Sequence, residues 1–193
     1  MTSIDIPGPY AAQAFPAPGL RDIVRNITTH NAEGKGVFLP PSNAAFESPM
    51  ANGHAINNVL YNTTGFPIDL NDDNDIKYSS THEPGHIEPK GTLVRYIDFS
   101  PGAASPPNRA LCLGYGIIIE GTLEIELDSG EKRLMKRGDI SVNRATIHTW
   151  RNMSQTEPAR VLYILLPIEP LKINGEIVGQ DMGKLSESFA ADE

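Results

Sequence analysis

The sequence predicts an all-β protein built from short strands that are joined by tight turns. The prediction depends most on residues 107–152, where apolar and polar residues alternate between turn segments. Leu123, Ile125 and Leu127 alternate with acidic residues, which is the period-two pattern of a strand with one buried face. Residues 128–130 then form a turn signal, and residues 131–136 supply the returning strand.

Further strands are predicted on both sides of this pair. Residues 1–20 contain four prolines and predict an irregular arm. The stretch between Pro41 and Asn58 is predicted to be mostly loop, and residues 183–191 either a short helix or a frayed tail. The continuous apolar run 161–166 predicts a strand buried on both faces. The other predicted strands lie at 21–29, 37–39, 58–64, 92–99, 107–119, 140–142 and 147–150, with a small hairpin at 171–178.

Composition and charge exclude several function classes. The chain has 193 residues and 39% hydrophobic residues, which suits one globular domain with a proper core. The net charge of −8 makes nucleic acid and anionic membranes poor partners. No apolar run is long enough to span a bilayer, and no secretory signal is evident. Cys112 has no second cysteine to pair with, so we expect a cytoplasmic protein.

Several spaced elements resemble a single-domain cupin, a small antiparallel β-barrel or jelly roll. The resemblance covers residues 92–168. The predicted parts of the chain are an N-terminal arm with strands (1–90), the barrel core (91–170) and a C-terminal hairpin and tail (171–193). We expect these parts to form one structural domain. The residues that carry the resemblance are Ile117-Ile118-Ile119-Glu120-Gly121, Gly138-Asp139, His148 and Asn152, with flanks at Asp98–Gly102 and Arg160–Leu162.

The same resemblance places four metal-ligand positions in this chain. They fall on Asn108, Ala110, Gly114 and His148. Only His148 is a usual transition-metal ligand, and catalytic sites need about three protein ligands. We therefore expect no metal and no other cofactor.

Two other segments imitate metal sites. The acidic segment 69–75 lacks the spacing and closing glutamate of an EF-hand, so a solvated turn is the simpler interpretation. His82-Glu83-Pro84-Gly85-His86 resembles a zinc-protease motif, but its Pro-Gly pair excludes the helix that this motif requires. Local charge pairing explains this segment, although His86 is a candidate for the rim of the barrel.

An unusually small set of side chains is predicted to face the barrel interior. By strand alternation Asn108, Ala110, Cys112, Gly114 and Gly116 point inward, as does Ile118. The larger residues Leu111, Leu113, Tyr115, Ile117 and Ile119 point to the other face. Small inward residues predict a cavity for one small ligand. The alternative is that bulky side chains from other strands fill the space.

The function predicted from this cavity is that of a metal-independent lyase or isomerase. His148 is the candidate acid or base, Asn108 the candidate donor to a carbonyl or enolate oxygen, and Trp150 an aromatic wall. The chain resembles stand-alone cupins found beside fungal polyketide and terpenoid pathways, which implies a small metabolite as substrate. The substrate-binding candidates are Arg109, Trp150, Cys112, Gly114, Gly116, Tyr115, Arg95 and His86, with Lys35 as a further possibility.

Two alternatives stay open. One is a small-molecule-binding cupin without turnover, in which His148 is a satisfied interior histidine. The other is a metal-dependent cupin oxygenase, should the protein contain a metal. We also expect a homodimer, because an open barrel leaves sheet edges that need cover.

Overall fold

The computed structural model describes residues 19–50 and 54–188, and it confirms the all-β class with two antiparallel sheets that enclose one core. The elements in chain order are β1 (Thr28–His30), β2 (Gly36–Phe38), β3 (Phe46–Met50), β4 (Ala55–Thr64), α1 (Asn74–Thr81), β5 (Gly91–Phe99), β6 (Cys112–Glu120), β7 (Thr122–Leu127), β8 (Lys132–Lys136), β9 (Ile140–Arg144), β10 (His148–Asn152), β11 (Ala159–Pro167), β12 (Lys172–Ile173) and β13 (Glu176–Ile177). Two 3₁₀ helices cover Asn71–Asp73 and Gly183–Ser188.

The larger sheet has six strands in the order β3-β4-β5-β11-β6-β9, and the smaller sheet has the order β10-β7-β8. Every pairing in both sheets is antiparallel. β4 pairs with β5 from Ala55↔Phe99 to Thr64↔Gly91. The boundary predicted at residue 90 therefore lies within one continuous sheet.

The hydrophobic core lies between the two sheets. Ile97, Ile118 and Val161 from the larger sheet pack with Leu123 and Trp150 from the smaller one. The alternation predicted for β7 is observed, because Leu123 and Ile125 are buried while Glu124 and Glu126 are half-buried. This face-to-face arrangement is the jelly-roll barrel that the sequence predicts.

The turn between β6 and β7 shows why the Glu-Gly pair of the cupin-like motif ends in glycine. Gly121 has a φ of +81°, and a Cβ added to it would lie 2.7 Å from the Cβ of Ala159 on β11. Both the left-handed backbone and the close approach exclude a larger side chain. Gly121 thus lets β7 leave one sheet and join the other.

Three local predictions differ from the structure. The segment predicted as loop after Pro41 contains β3 and the start of β4. The acidic segment predicted as a solvated turn forms a 3₁₀ turn and leads into α1, which ends at Thr81 before the Pro-Gly pair. β11 is buried at Val161 but only half-buried over residues 162–166, where Tyr163 and Leu165 line a cavity on its inner face.

The C-terminal segment is held on the barrel up to residue 188. Asp181 pairs with Arg109 through both backbone hydrogen bonds. Met182 and Leu185 are buried in the core. Of the two alternatives for 183–191, the described residues 183–188 form a short 3₁₀ helix, and residues 189–191 lie outside the described chain. Within the described residues no helix has the length and apolarity to cross a membrane.

Candidate functional site

A cavity of about 120 Å³ opens between the two sheets, as the small side chains of β6 predict. Most of its wall is apolar, with a few polar side chains from β5, β9 and β10. Such a wall is typical of small-molecule sites. The lining residues are Met50, Ala55, His86, Arg95, Ile97, Phe99, Ser105, Asn108, Ala110, Cys112, Gly114, Gly116, Ser141, Asn143, His148, Trp150, Tyr163, Leu165, Met182 and Leu185.

The glycines of β6 leave space in the barrel interior, and they also allow large side chains from neighbouring strands to come close to the β6 backbone. A Cβ at Gly116 would lie 3.2 Å from Cε1 of Tyr163 and 3.3 Å from Cζ2 of Trp150. A Cβ at Gly114 would lie 3.3 Å from Cδ2 of Leu165. Side chains from β10 and β11 thus fill part of the space above β6, and the cavity is what remains.

His148 is the first residue of β10, and only one of its two ring nitrogens is hydrogen-bonded within the described chain. Its Nδ1 lies 2.9 Å from the carbonyl oxygen of Thr146 and 3.0 Å from Nδ2 of Asn143. The carbonyl oxygen can only accept, so with a proton on Nδ1 the ring donates to Thr146 and keeps a lone pair on Nε2. The amide nitrogen of Asn143 is itself a donor, because its Oδ1 accepts from the Thr146 N–H at 3.1 Å, so in this tautomer it contacts Nδ1 without forming a hydrogen bond. Among the described residues Nε2 has no hydrogen-bond partner.

The environment of His148 favours the neutral imidazole. Burial lowers its pKa, and the hydrogen bond with the Thr146 carbonyl opposes this only in part. A neutral ring with a free nitrogen is the form that accepts a proton at neutral pH. The geometry therefore suits His148 to act as a general base.

Asn108 lies beside His148 but its amide group is already occupied. The two residues form an isolated antiparallel bridge with backbone hydrogen bonds of 3.1 Å. Nδ2 of Asn108 donates to the carbonyl oxygen of Pro106 at 3.0 Å and approaches that of His148 at 3.4 Å. The donor that the sequence assigns to a substrate oxygen thus fastens the loop before β6 to β10.

Trp150 and Tyr163 bring two polar groups to the cavity without partners. The Nε1 of Trp150 is buried and has no hydrogen bond within the described chain. Tyr163 likewise has no hydrogen bond to another described residue, and burial raises the pKa of its phenol, which stays protonated. The Trp150 ring meets His148 edge-on at 6.4 Å and Tyr163 edge-on at 6.0 Å.

His86 and Arg95 also reach the cavity wall, where the sequence placed them as candidates. His86 is buried, and its Nε2 lies 3.0 Å from Oε1 of Gln180. Nη2 of Arg95 donates to the carbonyl oxygens of Gly85 and His86, at 2.7 Å and 3.1 Å. Arg95 therefore anchors the loop that carries His86, and the C-terminal segment lies against the same loop.

Three sequence candidates do not line the cavity. Tyr115 is half-buried on the opposite face of β6, because it alternates with Gly114 and Gly116. Arg109 points away from the lining formed by its neighbours Asn108 and Ala110. Lys35 lies in the exposed turn between β1 and β2.

The donor set does not fit a cupin-type metal centre. Of the four positions, Ala110 and Gly114 have no donor atom, and the amide of Asn108 is engaged with backbone carbonyls. Burial raises the pKa of the nearby Cys112 thiol to about 11, so it does not supply a thiolate at neutral pH. Within the described residues no three His, Cys, Asp or Glu side chains lie together.

Several lining residues are not predicted by the sequence pattern. Asn143 lies on β9 and Tyr163 on β11, while Met182 and Leu185 come from the C-terminal segment. Alternation along β9 favours the wrong face, because the apolar Ile140 and Val142 are exposed and the polar Ser141 and Asn143 face inward. Tyr163 lies in an apolar run that shows no alternation, and no local pattern predicts where the C-terminal segment docks.

Comparisons with known proteins show extensive similarity to fungal proteins. The cupin-domain-containing oxidoreductase srdB of Neurospora crassa is 46% identical over 91% of this chain and 89% of its own length. The oryzines biosynthesis cluster protein J of Aspergillus oryzae is 37% identical over 89% of this chain and 98% of its own length.

Neither family models nor solved structures add to this similarity. No family model matches the chain. A solved RmlC-like cupin from Shewanella frigidimarina is 14% identical, covers 64% of this chain and 84% of its own, and has a TM-score of 0.42.

Proposed function

This chain belongs to the family of cupin-domain-containing proteins, and we propose that it is an enzyme that performs acid–base chemistry on a small, largely apolar metabolite. The proposed reaction class is a lyase or isomerase step, such as dehydration, decarboxylation or ring closure, without a metal. Relatives named for fungal biosynthesis clusters support a secondary metabolite as the substrate.

One observation carries the proposal: the arrangement of the two ring nitrogens of His148. The turn between β9 and β10 holds Nδ1, and Nε2 has no partner in the described chain. A neutral imidazole in an apolar cavity with one free nitrogen abstracts a proton from a substrate and then returns it.

The alternative function is an oxidoreductase, because several relatives carry that name. A redox reaction needs an electron acceptor, and the donor set around His148 does not provide the ligands of a usual transition-metal centre. The acid–base proposal is therefore preferred for this chain. A second alternative is binding without turnover, as in a carrier.

The test is deuterium incorporation by the purified protein. A panel of small ketones, unsaturated acids and β-hydroxy carbonyl compounds is incubated in D₂O without added metal and followed by proton NMR. We expect incorporation or water loss that falls at least about a hundredfold in His148→Gln, because general-base contributions are of that order. His30→Gln, on exposed β1, is the matched control and should keep the wild-type rate.

The same experiment separates the alternatives. A reaction that requires added iron and stops with a chelator would favour the oxidoreductase. Saturable binding of a panel compound without any proton exchange would favour the carrier. An unchanged rate in His148→Gln would remove His148 from the mechanism.

We also propose that the protein is a cytoplasmic homodimer. Support comes from the exposed apolar residues Ile140 and Val142 on β9, an edge strand of the larger sheet. Light scattering should give twice the chain mass of 21.0 kDa, and the monomer mass would contradict the dimer.

A further inference from the structure

The described cavity holds two polar groups that the acid–base proposal leaves unused. They are the indole N–H of Trp150, which is buried without a hydrogen-bond partner, and the phenol of Tyr163, whose half-buried side chain lines the same cavity. A buried donor without a partner is destabilising, and an indole N–H can only donate. Such groups become satisfied when a ligand brings a hydrogen-bond acceptor to them.

Contacts at Gly116 place these two groups at one end of the cavity. Cε1 of Tyr163 is bonded to the carbon that carries the hydroxyl, and it is 3.2 Å from the position of a Cβ at Gly116. Cζ2 of Trp150 is bonded to the carbon that carries Nε1, and it is 3.3 Å from the same position. Both rings therefore lie against one glycine of β6, each with a carbon next to its polar end in contact there.

The base lies next to this pair of donors. The Trp150 ring contacts both His148 and Tyr163 edge-on, so the indole separates the imidazole from the phenol. No carboxylate lines the described part of the cavity, and the Arg95 guanidinium is in its wall. An oxygen that gains negative charge would meet donors and a cation here.

Resting on the function proposed above, we propose that Trp150 and Tyr163 bind the carbonyl oxygen of the substrate, which is a small ketone, aldehyde or ester with a hydrogen on the carbon next to the carbonyl. His148 Nε2 takes that hydrogen as a proton. The C–H bond breaks, its electron pair moves through the carbon–carbon bond to the oxygen, and the enolate accepts hydrogen bonds from the two rings. Return of the proton to carbon, or loss of a leaving group, completes an isomerisation or elimination.

This assignment replaces Asn108 as the oxygen-binding residue and adds Tyr163 to the site. The hydroxyl of Tyr163 acts as a donor over the whole physiological range, because burial raises the pKa of the phenol. The narrow cavity of about 120 Å³ limits the part of the substrate that enters to one ring or a short chain.

The test compares two probes of nearly equal shape. Cyclohexanone carries a carbonyl oxygen, and methylenecyclohexane carries a CH₂ group in its place. Ligand-observed NMR titration measures binding of both to wild type, Tyr163→Phe, Tyr115→Phe and His148→Gln. Proton NMR in D₂O measures exchange of the hydrogens next to the carbonyl of cyclohexanone.

We expect Tyr163→Phe to weaken cyclohexanone binding about tenfold, as loss of one hydrogen bond implies, and to leave methylenecyclohexane binding unchanged. Tyr115→Phe is the matched control, since Tyr115 lies on the opposite face of the same strand. It should change neither probe. Tyr163→Phe should also slow exchange at saturating cyclohexanone, which a merely structural role would not predict.

The variants separate failure of this inference from failure of the proposed function. Exchange that depends on His148 but is unaffected by Tyr163→Phe would overturn the oxygen-binding role and leave the acid–base function standing. Selective ketone binding lost in Tyr163→Phe, without exchange in any variant, would support the oxygen site and contradict the reaction. Equal binding of the two probes by wild type, or no ketone binding, would overturn the inference.

Discussion

Two buried polar clusters in this molecule differ in how completely their groups are paired. At one end of the larger sheet, Arg160 donates from Nε and Nη2 to the two carboxylate oxygens of Asp98, at 2.6 Å and 2.7 Å. Its Nη1 donates to the carbonyl oxygen of Arg21 at 2.8 Å, and its guanidinium lies 5.0 Å from the centre of the Tyr96 ring. In the cavity, by contrast, the polar groups of His148, Trp150 and Tyr163 lack partners on their inner side.

The difference indicates separate roles for the two clusters. In the buried charge pair each guanidinium nitrogen donates a hydrogen bond, and these bonds tie β5 to β11 and to the segment before β1. In the cavity Trp150 is buried and His148 and Tyr163 are half-buried, and all three keep hydrogen-bonding capacity. A buried polar group without a partner lowers stability, so unpaired groups at a cavity are expected where a bound ligand completes their hydrogen bonds.

The largest effect on stability should come from breaking the paired cluster. Asp98→Asn keeps the volume of the side chain but leaves the buried Arg160 without a counter-charge, which typically costs about 3–5 kcal/mol of unfolding free energy. Urea unfolding followed by circular dichroism measures the loss. Glu120→Gln, in the exposed ion pair with Arg137, should change the same quantity by less than about 1 kcal/mol. Similar losses in both variants would contradict the distinction between the clusters.

A smaller effect on stability and a clear effect on binding should come from filling the glycine at the cavity. Gly116→Ala places a methyl group against the rings of Tyr163 and Trp150, and overpacking of this kind costs about 1–3 kcal/mol. Displaced rings should also lose the selectivity for cyclohexanone over methylenecyclohexane. Gly36→Ala is the control, because no atom lies within 4 Å of its added Cβ. Retained selectivity in Gly116→Ala would show that the two rings need not converge there.

The sequence predicted the strand that shapes the cavity better than the groups that complete it. Alternation along β6 placed Cys112, Gly114 and Gly116 inside and Tyr115 outside, because side chains on neighbouring strand residues take opposite faces. It also placed His148 and Trp150 on one side of β10. These predictions needed only local geometry.

What the sequence did not predict depends on contacts between distant segments. Tyr163 sits in an apolar run whose two faces look alike, so nothing marks the phenol as facing a cavity. The amide of Asn108 donates to the carbonyl oxygen of Pro106, a contact that depends on loop geometry and that strand alternation does not predict. The sequence does not predict α1 because Asn and Asp, which begin it, are poor helix formers. Its contact with β4 is not a local feature of the sequence either: the buried Ser79 hydroxyl accepts a hydrogen bond from the backbone N–H of Asn62.

The smallest expected effect is a pH dependence that belongs to the unpaired cluster. Burial lowers the pKa of folded His148 below the ordinary 6.5, so the unfolded chain binds more protons at acidic pH than the folded chain. The stability that depends on the neutral ring is fully present above about pH 6.5 and declines as the pH falls toward the lowered pKa of the folded state. His148→Gln should therefore lose less unfolding free energy than wild type between pH 7.5 and pH 5, measured by urea unfolding at each pH.

The rate of proton exchange should depend on the same imidazole, which must be neutral to accept a proton. The rate should be maximal above the pKa of folded His148 and fall only below it, so wild type should stay active at pH 6. An identical pH dependence of stability in wild type and His148→Gln would contradict the view that this imidazole is buried in its neutral form. Loss of exchange already at pH 7 would mean that the pKa of His148 is raised, which an apolar environment does not explain.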